Sequence, residues 1–115
     1  MHVRLNRAAS AVAFILSPVV SAAAAQEADE ATMTLGRQVF IEDAQPPCAL
    51  CHTLADAGST AEIGPILDQL KPDLDRTRNA VTHGIGVMPA YEELLTPEQI
   101  EAVSVYVSKV SGGMN

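Results

Sequence analysis

The stretch Cys48-Ala49-Leu50-Cys51-His52 constrains this chain more than any other. It reads C-x-x-C-H, the pattern at which a c-type haem is attached through two thioethers. The spacing puts the two sulfurs about one helical turn apart on one face. The adjacent imidazole then lies under the iron and supplies an axial nitrogen. The chain has 2 cysteines, and both are in this motif. Two other readings compete. A redox dithiol wants a βαβ setting, and half of a zinc site needs further good ligands.

The first 25 residues read as a secretory leader. His2, Arg4 and Arg7 form a basic start, and Ala8 to Val20 is apolar. Ser21-Ala22-Ala23-Ala24-Ala25 offers an A-x-A cleavage site, most simply after Ala25. The run is broken by Ser10, Ser17 and Pro18, whereas a spanning helix needs about 20 strongly apolar residues. The expected organisation is a leader over 1–25 and one domain over 26–115, exported to the periplasm, with no stable membrane span after cleavage. In that domain 5 basic side chains (Arg37, Lys71, Arg76, Arg78, Lys109) stand against 14 acidic ones, a formal charge of −9. That balance argues against nucleic acid, which requires a basic footprint. It permits a protein partner with a basic docking surface, or it is a solubilising surface with no steering role.

Two Phe, two Tyr and no Trp make a thin core for the whole chain. Domains this small are marginal on side-chain burial alone. A covalently held haem supplies a large apolar body for the chain to wrap.

Residues 26–31 are acidic and lack periodicity, so a frayed start is expected there. Thr32 is expected to cap a helix running to about Glu42, with Leu35, Val39 and Phe40 on its apolar face. Gly36 is a poor helix residue, and its physical reason is close approach of another helix. Pro46-Pro47 stops the helix. Thr53 to Pro65 reads as loop. Ile66, Leu67 and Leu70 pack on the macrocycle or form a short helix, and Asp73 caps another through about Thr82. Thr96-Pro97-Glu98-Gln99 is a capping box that opens the last helix. Ile100, Val103, Val107 and Val110 form its stripe, and Gly112-Gly113 end it. The alternation of Val103, Val105 and Val107 permits a strand, but the cap and the length favour helix. The expected fold class is all-α, three to four helices wrapped around one haem, with loops whose length the cofactor accounts for.

His52 is the proximal ligand if haem is attached. For the opposite face the candidates are Met88, His83, Met33 and Met114. Met33 lies near the frayed start and Met114 in the tail. Met88 sits in a loop stiffened by Gly84, Gly86 and Pro89, so its thioether is favoured. His83, at a helix end, reads as an exposed or loop-packing histidine. With both axial positions filled by the protein, iron has no room for substrate, which favours electron transfer over catalysis. The rival is a small haem peroxidase or gas sensor with a labile sixth ligand.

These residues together resemble a class I c-type cytochrome over essentially the whole domain. The resemblance is carried by Gly36 and Phe40, Cys48-x-x-Cys51-His52, Gly64-Pro65, Met88-Pro89 and Tyr106. It implies that Gly36 and Phe40 cross the last helix at Val103 and Tyr106. It also implies that the Pro65 carbonyl accepts a hydrogen bond from His52, and that one haem c is bound covalently through Cys48 and Cys51. The chain is acidic and short, without a lysine-rich haem edge, and is most similar to small bacterial periplasmic carriers. Its Cys48-to-Pro65 stretch resembles the haem partners of molybdenum sulfite dehydrogenases. The implied partners are redox proteins: a dehydrogenase as donor, an oxidase or another cytochrome as acceptor.

Overall fold

The computed structural model describes residues 8–16 and 22–114. Its helices are α1 (Ala22–Gln38), α2 (Leu67–Leu70), α3 (Leu74–His83) and α4 (Pro97–Ser111). The expected all-α class is observed. Two short strands, β1 (Thr53–Leu54) and β2 (Ser59–Thr60), pair antiparallel inside the stretch expected as loop. Much of the expected leader, residues 1–7 and 17–21, lies outside the described residues. Residues 8–16 carry no helix or strand and are exposed. Among the described residues no helix is long and apolar enough to cross a membrane.

The domain is assembled on α4, and local chemistry starts that helix. The Thr96 side chain accepts from the Gln99 N–H at 3.2 Å, while Gln99 Oε1 accepts from the Thr96 N–H at 2.9 Å. Two otherwise orphaned donors are thereby satisfied, and Pro97 begins the helix without a donor to satisfy. Gly112, at φ 89°, ends it in the left-handed conformation that a side chain disfavours. Ile100, Val103, Tyr106 and Val107 are all buried along the segment. Their helical spacing, not the alternation of valines, sets the conformation.

One side of α4 receives α1. A Cβ at Gly36 would lie 2.5 Å from Tyr106 Cβ and closer still to the Ala102 carbonyl oxygen, so only glycine permits this crossing. One turn on, Phe40 meets Tyr106 edge-on, with ring centroids 6.2 Å apart and planes at 63°. The Tyr106 hydroxyl donates to Asp56 Oδ2 at 2.6 Å and so ties α4 to the loop after β1. The other side of α4 receives α3 through small polar residues. Thr77 Oγ1 donates to the Asp73 carbonyl at 2.8 Å and contacts Ser108 Oγ at 3.1 Å, in a buried setting. Asp73 caps α3, its Oδ1 accepting from the Arg76 N–H at 2.8 Å.

The first helix corrects the sequence reading. It begins well before Thr32, at Ala22, and residues 26–31 are helical rather than frayed. Alanine, glutamate and glutamine in this stretch are strong helix formers, and propensity alone leaves no apolar period to read. Lys109 Nζ meets Asp29 Oδ1 at 2.5 Å, holding the extension against α4. At its far end α1 widens into a π turn over Val39–Asp43, with the Ala44 N–H bonded to the Val39 carbonyl at 3.1 Å. Both Val39 and Phe40 are buried there.

Candidate cofactor site

Pro47 delivers the chain into a tight turn over Cys48–Leu50. The Cys51 and His52 N–H groups both donate to the Cys48 carbonyl, at 3.1 and 3.0 Å. This brings Cys48 and Cys51 to the wall of one cavity. Burial pushes the Cys48 thiol up to about 12. A redox-active thiol is shifted the other way, toward thiolate at neutral pH. Among the described residues no three His, Cys, Asp or Glu side chains converge on a point that could hold a metal ion, so zinc finds no further ligands here.

His52 is oriented from below. Its Nδ1 lies 2.8 Å from the Pro65 carbonyl oxygen. A carbonyl only accepts, so Nδ1 carries a proton, and in the neutral ring that leaves the lone pair on Nε2. Gly64 lies flat against the ring: a Cβ there would fall 2.6 Å from His52 Cε1 and 2.9 Å from Nδ1. The Gly64 N–H donates to the Cys51 carbonyl at 2.7 Å, closing the loop on the motif. The small ribbon stiffens that loop. Ser59 Oγ donates to the His52 carbonyl at 2.8 Å and accepts from the Leu54 N–H at 3.0 Å.

Met88 reaches the same cavity from a two-residue hairpin. Ile85 and Met88 exchange backbone hydrogen bonds at 3.2 and 2.9 Å across Gly86-Val87, and Gly86 adopts φ 57°. Tyr91 then straps the Met88 loop down. Its N–H donates to the Val81 carbonyl at 2.9 Å, and its hydroxyl to the Pro46 carbonyl at 2.6 Å. Burial pushes that hydroxyl up to about 12.

The cavity measures about 360 Å³. Phe40, Leu67, Val81, Val103 and Val107 give it an apolar wall. Cys48, Cys51, His52, Pro65 and Met88, the five site residues named from the sequence, all line it. His83 is exposed, Met33 is half-buried against the core, and Met114 lies at an exposed end, and none of them is on the wall. Arg76, Thr77 and Tyr91 also line the cavity and were not read from the sequence. The aromatic three residues past Met88 was the available signal for Tyr91; Arg76 and Thr77 carried none. Two thiols on one wall, an imidazole with its Nε2 lone pair kept, and a thioether, in an apolar cavity of ordinary ligand size, fit a haem.

Residues 31–107 match the family described as cytochrome c oxidase, cbb3-type, subunit III. The chain belongs to this family of c-type cytochromes. It is similar to the c-type cytochrome SorU from Sinorhizobium meliloti, at 58% identity and a TM-score of 0.69 over 74% of this chain and 97% of that one. Cytochrome c6 from Gloeothece citriformis (strain PCC 7424) is 36% identical over 64 residues. Cytochrome c6 from Rippkaea orientalis (strain PCC 8801 / RF-1) is 38% identical over 64 residues. Each of these two matches covers 52% of this chain and 58% of the relative, so the chain spans just over half the length of either. Membership implies a covalently bound haem c, for which Cys48 and Cys51 have the attachment spacing.

Proposed function

We propose that this cytochrome is an exported, periplasmic one-electron carrier with its haem held through Cys48 and Cys51 and ligated by His52 and Met88. One observation carries the reading: a single apolar cavity gathers both thiols, an imidazole tied at Nδ1, and one thioether. The haem supplies the one-electron couple when bound. The chain's own residues set how that couple behaves. The thiols fix the orientation of the group they hold. The His52 Nδ1–H bond to Pro65 makes Nε2 a more basic donor. The Met88 thioether favours the ferrous state and raises the potential relative to two imidazoles. The apolar wall excludes water, which acts on the potential as well.

Were His52 and Met88 both to ligate the iron, substrate would have no place there. That favours carriage over a peroxidase or gas sensor. The electron donor in this reading is a dehydrogenase, with a molybdenum sulfite dehydrogenase the leading candidate on the resemblance of the Cys48-to-Pro65 stretch. The acceptor is an oxidase or another cytochrome. The −9 formal charge of residues 26–115 suits a basic face on the partner. Residues 1–25 act as the cleaved leader. Purification from the periplasm with haem staining, followed by carbon monoxide titration of the reduced protein, tests the reading. Covalent haem, loss of the leader and resistance to carbon monoxide are expected. Rapid carbon monoxide binding at neutral pH would move the assignment to the gas-binding class, and absence of covalent haem would end it.

A further inference from the structure

Between Val81 and Leu95 the chain runs along the surface, and Tyr91 is the only buried residue of that run. Ile85, Val87, Pro89 and Ala90 are exposed. Among the described residues, segment 85–90 makes hydrogen bonds only within itself, those between Ile85 and Met88. The Met88 thioether therefore owes its place to what holds the two ends of the segment. In front of it, the Gly84 N–H donates to the Ala80 carbonyl of α3 at 2.8 Å. Behind it stands Tyr91, three residues past Met88 and 3% exposed. The Tyr91 N–H donates at 2.9 Å to the Val81 carbonyl, one of the last-turn acceptors that a helix leaves without an internal partner.

The Tyr91 hydroxyl reaches a different part of the site. It donates at 2.6 Å to the Pro46 carbonyl, on the stretch that leads into Cys48. Neither Pro46 nor Pro47 has an N–H, so that stretch is fixed through its carbonyls. Pro47 accepts from the Leu50 N–H at 3.0 Å, inside the thiol turn, and Pro46 accepts from Tyr91. One hydroxyl thus joins the thioether loop to the approach to the thiols, across 45 positions. The loop itself is folded back on its first residue: a Cβ at Gly84 would lie 2.5 Å from the Met88 carbonyl oxygen and 2.9 Å from the Ala90 nitrogen. Pro89 fixes φ directly after Met88. A piece this tight swings as one body about the end of α3, and it opens only by drawing Tyr91 away from Pro46. We propose that the Tyr91–Pro46 hydrogen bond is a latch that governs release of the Met88 thioether, and with it the access of outside ligands to the iron. The proposal rests on the reading of the cavity as a haem site with Met88 as ligand. Tyr91 is a positioning residue: it acts through the loop and does not touch the iron.

Imidazole titration of the ferric holoprotein, followed by the far-red thioether-to-ferric band, tests this in wild type, Tyr91→Phe and Tyr106→Phe. Phenylalanine at 91 keeps the buried ring and removes the hydroxyl. A single net hydrogen bond is worth about two- to tenfold in an equilibrium constant, so Met88 is expected to yield to that much less imidazole. Tyr106→Phe removes another tyrosine hydroxyl bond, the one to Asp56 at 2.6 Å, from a residue that is not on the cavity wall. It is expected to lose stability and keep the wild-type imidazole affinity. A merely structural role for Tyr91 lowers Tm in both variants and leaves imidazole affinity alone. Hydrogen exchange of the wild type gives a reading that needs no variant. Saturation with imidazole is expected to speed exchange at the Tyr91 N–H together with the Met88 N–H. An imidazole affinity unchanged in Tyr91→Phe, or raised equally in Tyr106→Phe, overturns the latch. So does exchange that speeds at Met88 while Tyr91 keeps its protection. Wild-type protein with covalent haem and no thioether band overturns the Met88 reading itself, so the two failures are told apart.

Discussion

Gly64→Ala isolates the backbone platform beneath His52. The new Cβ would fall 2.6 Å from His52 Cε1. Carbon atoms rest no closer than about 3.5 Å, so the ring must retreat by about 0.9 Å. The ring is tethered to the next residue by a 2.8 Å bond from Nδ1 to the Pro65 carbonyl. A retreat of that size takes the bond to about 3.7 Å, beyond any useful hydrogen bond. Loss of the bond costs about 0.5–1.5 kcal/mol, and overpacking adds about 1–3 kcal/mol. For a domain of this size a loss of about 2 kcal/mol lowers Tm by roughly 10 °C. The imidazole also becomes a weaker donor, so the reduction potential rises. Thermal melts and midpoint potentials of the holoprotein read both effects. Gly58→Ala is the control: its φ is 69°, and nothing lies within 4 Å of its would-be Cβ. It carries only the left-handed backbone penalty of about 1–2 kcal/mol and leaves the potential alone. A Gly64→Ala protein with wild-type Tm and potential would refute the claim that Gly64-Pro65 sets the His52 ring. So would one whose potential changes no more than that of Gly58→Ala.

Gly36→Ala places a methyl against the Ala102 carbonyl and Tyr106 Cβ, where backbone has to move. A loss of about 1–3 kcal/mol is expected in urea titrations, and an unchanged midpoint would contradict the α1–α4 crossing described here. Tyr106 gives a pH dependence. Burial first, and then the Asp56 carboxylate, hold its hydroxyl above the ordinary tyrosine value. The folded value being the higher one, its contribution is intact below about pH 10 and falls as pH rises toward that folded value. Tyr106→Phe is expected to flatten the alkaline decline in stability between about pH 10 and about pH 12, and a decline as steep as in wild type would exclude Tyr106 as its source.

What could be read in advance was what is decided locally. The Thr96–Gln99 box, the Asp73 cap and the Gly112 stop act within a few residues, and each is found where the sequence puts it. The close approach at Gly36 was legible because a glycine costs a helix stability unless another element packs on it, while its crossing point at Tyr106 was implied by the family resemblance. The start of α1 was not legible, because the described side chains of residues 22–31 are exposed and leave no apolar period to read, only helix propensity. The β1–β2 ribbon was missed because strands of two residues show no alternation. The links that shape the site are also non-local. Tyr91 reaches Pro46 across 45 positions, and Tyr106 reaches Asp56 across 50. No periodicity encodes such a pair. Arg76 entered the sequence reading only as one of the basic side chains, since nothing local marks a helix position that will line a cavity.

The central claim is that Met88 completes an iron site opened by the C-x-x-C-H motif. The direct measurement is the far-red thioether-to-ferric charge-transfer band of the oxidised holoprotein, in wild type, Met88→Ala and His83→Ala. The band is expected in wild type and His83→Ala and lost in Met88→Ala. A band that survives in Met88→Ala, or is absent from wild-type protein carrying covalent haem, would contradict the account.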